Sequence, residues 1–187
     1  MYYNPKSKII ISKSFKTAGS SLYTLIKNNW LEEGCRLDNE HYTLKECQGI
    51  YKTKEFTQLT LIRNPYDYVV SAYHWGKRNE EVPQDYTFQD FLYKPSQFNW
   101  QKQLKFWDTN DTDDVIQFEQ LDVEIERLVY EYNLPKVKTP IPHEKKTVER
   151  VSYQYYYNEE DKHYVRRVFG HQLYFWQIHF GIKYTFE

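Results

Sequence analysis

The sequence predicts an α/β fold: a parallel β-sheet flanked by helices, in one compact domain over residues 1–187. Three observations lead there. Lys8-Ile9-Ile10-Ile11-Ser12, Thr57–Ile62 and Asp114–Glu119 are short runs with the β-branched residues of buried strands. After each comes a stretch with apolar residues at helical spacing, and strands that alternate with helices form parallel sheets. A chain of 187 residues with 40% hydrophobic and 19% aromatic content has enough apolar mass for one core and is not disordered.

Behind the first strand, Lys13-Ser14-Phe15-Lys16-Thr17-Ala18-Gly19-Ser20-Ser21 leads into Leu22, Leu25 and Ile26, the stripe of an amphipathic helix. Ala18 and Gly19 let the backbone approach a ligand closely. Ser20 and Ser21 are expected to cap the helix. Unpaired N–H groups and the positive end of the helix dipole favour an anion there, and Lys13 and Lys16 add charge. The segment therefore reads as a phosphate or sulfate cradle, with an ordinary strand-to-helix turn as the alternative. The order of residues is not that of a Walker A loop, because the lysine precedes the small residues.

Further along, Thr43 and Glu46 form a capping box for a helix at about 44–52, directly after His41. A histidine in a loop is either a surface or capping residue or a base whose pKa suits neutral pH. The second strand ends in Arg63-Asn64-Pro65-Tyr66-Asp67, where Asn64 is an N-cap, Pro65 fits the first helical position and Asp67 favours the dipole. Tyr66, Val69, Val70 and Tyr73 make the stripe of the next helix, with Ser71 one step round. Arg63 and Ser71 either address one anion or serve structure, with Arg63 paired to a carboxylate and Ser71 solvated. Thr87 caps a short helix that turns Phe88, Phe91 and Leu92 inward. A further helix is expected from Asn99, and Trp100, Phe106 and Trp107 are assigned to the core. Leu121, Ile125, Leu128, Val129 and Tyr132 follow the third strand as a helix that stops at Asn133-Leu134-Pro135. The last helix starts at Asn158 with Glu159, Glu160 and Asp161 in its first turn. Its stripe is Val165, Val168 and Phe169.

Bulk properties limit the function. A net charge of −1 argues against general nucleic-acid affinity. The charge is uneven: residues 1–31 carry five lysines and no acid, whereas 108–126 carry acids and no base. Cys35 and Cys47 lie in no metal-ligand spacing and are read as free thiols in a reducing compartment. The first residues run into a strand without a signal-peptide pattern, and no apolar run is long enough to span a bilayer. A cytoplasmic protein is expected, with no nucleic-acid partner and no membrane span.

Two of these motifs together resemble the sulfotransferases that use 3′-phosphoadenosine 5′-phosphosulfate (PAPS). Lys16 to Leu22 are similar to that family's 5′-phosphosulfate loop, with Ala18 where glycine is more frequent. Arg63-Asn64-Pro65-Tyr66-Asp67, Ser71 and Tyr73 are similar to its 3′-phosphate motif. The resemblance implies a P-loop-like sulfotransferase fold and sulfuryl transfer from PAPS to an acceptor hydroxyl, as in carbohydrate sulfotransferases. It implies cofactor contacts at Lys13, Lys16, Thr17, Ala18, Gly19, Ser20, Ser21, Arg63 and Ser71. Lys16 would stabilise the leaving oxygen. His41 would be the base, with Glu40 as fallback, and Glu119 would be structural. Lys145 and Lys146 would either meet phosphate or be solvated. The absence of a Walker B acid and of a metal-ligand cluster in the sequence predicts a metal-independent reaction. A P-loop-like kinase or NTPase, and a non-catalytic nucleotide-binding module, are the competing readings.

Overall fold

The structure is a computed structural model that describes residues 1–38, 41–51, 55–107, 111–138 and 151–186. The chain forms two compact units, one from residues 1–62 and 105–146, the other from 63–104 and 147–187.

The first unit is built on a five-stranded sheet. Its strands are β1 (Tyr2–Asn4), β2 (Ile9–Ser12), β3 (Arg36–Leu37), β4 (Thr57–Ile62) and β5 (Asp114–Gln117), in the order β3-β1-β2-β4-β5. The three strands read from the sequence, β2, β4 and β5, are parallel, with Ile11 opposite Leu59 and Leu61 opposite Ile116. The sheet as a whole is mixed, which corrects the all-parallel expectation. β1 runs antiparallel to both β2 and β3. The cause is local. Only four residues, Pro5 to Lys8, separate β1 from β2, and so short a link can join antiparallel neighbours but not parallel ones. The Asn4 side chain holds that turn by accepting hydrogen bonds from the backbone N–H groups of Lys6 (3.0 Å) and Ser7 (3.1 Å).

All four residues of β2 are buried, because helices cover both faces of the sheet. Ile9 and Ile11 point to α1 (Gly19–Asn29) and α5 (Leu121–Glu131), where Leu22, Leu25, Ile26, Ile125 and Leu128 complete the main core. Ile10 points the other way, to Cys47 of α2 (Leu44–Tyr51) and to Tyr3, Tyr51 and Phe56. The Tyr3 ring stacks on Tyr51 at 4.6 Å and on Phe56 at 5.3 Å. The Thr43–Glu46 capping box of α2 is present in both directions. Both cysteines are buried and free. Burial pushes the Cys47 thiol up to about 12. β5 is shorter than expected, since Phe118–Gln120 turns into a 3₁₀ helix.

The second unit is helical: α3 (Pro65–Arg78), α4 (Phe88–Tyr93), α6 (Glu159–Val168) and α7 (Gly170–Phe180). Asn64 and Pro65 start α3 as read, and the Asn64 side chain accepts from the Tyr66 N–H at 3.0 Å. Thr87 with Asp90 and Asn158 with Asp161 form complete capping boxes on α4 and α6. Asp161 is buried and also accepts from Tyr93 Oη (2.8 Å) and Gln89 Nε2 (3.0 Å), which ties α6 to α4. Trp100 is buried, and a 3₁₀ helix, Trp100–Phe106, replaces the α-helix expected there. The expected stripe Val165, Val168 and Phe169 falls on α6 and its C-cap, and after Phe169 the chain continues as a further helix, α7. Among the described residues no helix is long and apolar enough to cross a membrane.

Candidate functional site

The segment from Lys13 to Gly19 joins β2 to α1. Its backbone is tightly wound: Lys16 (φ 58°) and Ala18 (φ 61°) both sit in the left-handed region. For residues with a Cβ this is strained, of order 1–2 kcal/mol each. Side chains of the loop hold it in place. The Thr17 hydroxyl donates to the Ser14 carbonyl at 2.8 Å, and the Ser14 hydroxyl donates to the Phe106 carbonyl at 2.8 Å. All of Ser14 and Thr17 is buried. A Cβ on Gly19 would come within 2.9 Å of Lys13 Cδ, so glycine there makes room for the stem of the buried Lys13.

Neither serine caps α1, contrary to expectation. The N-cap is Ala18, which has no acceptor, and no side chain caps the helix. Ser20 and Ser21 lie one and two residues inside the helix, past the position from which a hydroxyl could reach the first N–H groups. The first turn contains no acid. The loop therefore presents a helix N terminus with a lysine on the same short segment, Lys16 being half-buried. A small, mostly apolar pocket beside it is lined by Lys13, Gly19, Leu22, Tyr23, Leu37 and Asp38. It holds about one water molecule and is not a nucleotide cavity.

His41 belongs to the same unit and is tied to this loop. Its Nδ1 lies 3.0 Å from the Lys13 carbonyl oxygen. A carbonyl can only accept, so Nδ1 carries the proton and the neutral ring keeps its lone pair on Nε2. The Phe15 ring meets the imidazole edge-on at 5.9 Å, and Phe106 lies at 5.8 Å. Nothing local in the sequence marks Phe106, which comes from 65 positions away. Glu40, Lys145 and Lys146 lie outside the described residues.

Arg63 and Ser71 fall in the second unit, at the start of α3 and two turns along it. Arg63 is 7% exposed and forms an ion pair with Asp67, its Nε donating to Asp67 Oδ2 at 2.7 Å. This is the structural pairing that the spacing allowed for. Its second half does not hold: Ser71 is not solvated but 6% exposed. Tyr68 is fully buried, and burial pushes its phenol far above the ordinary value while the nearby Arg63 charge pulls the other way. Among the described residues no three His, Cys, Asp or Glu side chains cluster in a way that would hold a metal ion.

No family model matches the chain. No curated protein and no solved structure matches it either.

Proposed function

We propose that the chain is a PAPS-dependent sulfotransferase that sulfates a hydroxyl of a carbohydrate acceptor. The observation that carries this reading is the Lys13–Gly19 loop: a wound backbone that runs into an uncapped, acid-free helix N terminus, with His41 hydrogen-bonded to the same loop. The N–H groups at the start of α1 would hold the 5′-phosphate, as helix N termini hold anions elsewhere. Lys16 would neutralise the oxygen on which negative charge builds as the sulfuryl group departs. His41 Nε2 has the lone pair to take the acceptor proton, and the Lys13 carbonyl keeps the ring in that tautomer. PAPS supplies the sulfuryl group. In balance, the acceptor oxygen gains that group and loses its proton to His41, and the bisphosphate leaves with the electron pair of the broken S–O bond. The 3′-phosphate falls to Arg63 and Ser71 on the sequence motif alone. For Arg63 the assignment means that phosphate shares the guanidinium with Asp67 or displaces it. The two free thiols fit a reducing compartment, and we place the protein in the cytoplasm.

The test is a calorimetric titration with adenosine 3′,5′-bisphosphate and with ATP, each with and without magnesium. Binding of the bisphosphate without magnesium, lost in Lys16→Ala, is the expected result and would justify a screen of carbohydrate acceptors. Preference for magnesium-ATP would overturn the reading in favour of a kinase or NTPase. Bisphosphate binding without transfer to any acceptor class would leave a binding module.

A further inference from the structure

Residues 162–186 contain Lys162, Arg166, Arg167 and Lys183 and not a single acid. Within them lies α7, whose eleven residues, GHQLYFWQIHF, include no Asp, Glu, Lys or Arg. Six of them, Leu173, Tyr174, Phe175, Trp176, Ile178 and Phe180, are apolar or aromatic and are spread round the helix, and such residues are normally buried. In α7 only Trp176 is buried. Tyr174 is 69% exposed and Ile178 60%, and these two, four residues apart, share one face with the exposed His171. Phe175 is half-buried beside them. The chain on either side of α7 is basic. Arg166 and Arg167 are exposed just before it and Lys183 just after. None of the three is in an ion pair among the described residues, whereas Lys162 is paired with Glu159. An exposed apolar strip of this kind marks an interaction surface.

Charge decides what covers it. A second copy of the chain would bring like charges together. Side by side in parallel, Arg166 and Arg167 would meet their own kind, and in antiparallel they would meet Lys183, while the exposed acids Glu159 and Glu160 lie at the end of α6 away from α7. An anionic partner has the opposite sign. A flat bilayer also suits the side chains: tyrosine rings have an apolar body and a polar tip, the form favoured at the headgroup level, and basic residues flank them. We propose that α7 and its basic flanks form a docking face for an anionic lipid surface, on which Tyr174 and Ile178 enter the headgroup boundary while Arg166, Arg167 and Lys183 meet acidic headgroups. This does not depend on the enzymatic reading.

The experiment is sedimentation of the full chain with vesicles of phosphatidylcholine alone or with about one-third phosphatidylserine. The wild-type chain should bind the anionic vesicles and bind the neutral ones at least tenfold more weakly. Raising the salt severalfold should weaken binding without any substitution. The R166E/R167E variant should lose about 25-fold or more, since each basic residue at such a surface contributes roughly fivefold. Ile178→Asp should lose about tenfold, with an unchanged melting curve because the side chain is exposed. Failure of the wild-type chain to bind, or binding that survives both variants and high salt, would overturn the proposal. A dimer in light scattering that Ile178→Asp splits, with no vesicle binding, would overturn it in favour of a second copy. Binding of an acidic polypeptide such as polyglutamate but not of anionic vesicles would overturn it in favour of a protein partner.

Discussion

Two neighbouring parallel strands, β2 and β4, each run into a helix, and the two connections treat the helix start in opposite ways. After β4 every local device is used. Asn64 caps α3, Pro65 takes its first position, and Asp67 meets the dipole and pairs with Arg63. After β2 none is used. The cap is an alanine in the left-handed region, and the first turn of α1 has no acid. The first arrangement is satisfied from within the chain. The second stabilises itself elsewhere, through Ser14, Thr17 and the Lys13 stem, and leaves the helix dipole uncompensated by any carboxylate of its own. The difference separates a helix start satisfied by its own side chains from one that is not.

Substitutions break or sharpen this contrast. The largest effect is expected from Lys16→Ala. If the β2 turn is the reactive one, transfer should fall by about a thousandfold, roughly 4 kcal/mol of transition-state stabilisation. The melting temperature should barely move, since alanine keeps the same left-handed strain; a variant with full turnover would remove Lys16 from the chemistry. Asp67→Ala comes next. It leaves Arg63 buried without its carboxylate and should lower stability by about 3 kcal/mol in chemical denaturation. A neutral result would mean that Arg63 is not held by Asp67 in solution.

Asn64→Ala and Ala18→Gly should have similar size and opposite sign. Loss of the Asn64 cap should cost about 1 kcal/mol. Glycine at position 18 relieves the left-handed strain and should add about 1 kcal/mol, less its own entropy cost in the unfolded chain. Equal destabilisation by both would show that the β2 turn is not strained in solution. The smallest effect concerns α4, which is capped from within the chain as α3 is. The Lys94 hydrogen bond and the Thr87 cap hold the Asp90 carboxyl down at about 2. A lowered carboxyl stabilises the fold when ionised. That contribution is present above the ordinary carboxylate range and fades as pH falls from about 4 towards 2. Stability curves of wild type and Asp90→Asn should therefore converge over that range; curves that stay parallel would deny the linkage.

Much of this was legible in the sequence because it is local. The β-branched runs gave β2, β4 and β5, and the Thr43–Glu46 and Asn158–Asp161 spacings marked helix starts that the structure contains. The strands β1 and β3 were not legible. β1 is a three-residue piece and β3 a two-residue one, too short for periodicity, and the Asn4 turn accounts for the pairing of β1 with β2 alone. Ser20 and Ser21 looked like caps by type, but the left-handed Ala18 shifts the helix start one residue before them. That conformation has no signature in an alanine. α7 was missed because its apolar residues are spread round the helix and show no stripe. The His41 contact joins positions 28 apart and Ser14 reaches Phe106, so neither follows from spacing.

The hydrogen bond from His41 to the Lys13 carbonyl makes the loop and the ring one mechanical part. Because the acceptor is main chain, no substitution at position 13 short of proline-like distortion of the backbone removes it, so the contact is insulated from side-chain drift there. Anyone transplanting the loop into another α/β scaffold would have to move residues 13–19 and His41 as a unit, or rebuild an acceptor that orients the imidazole from outside the loop.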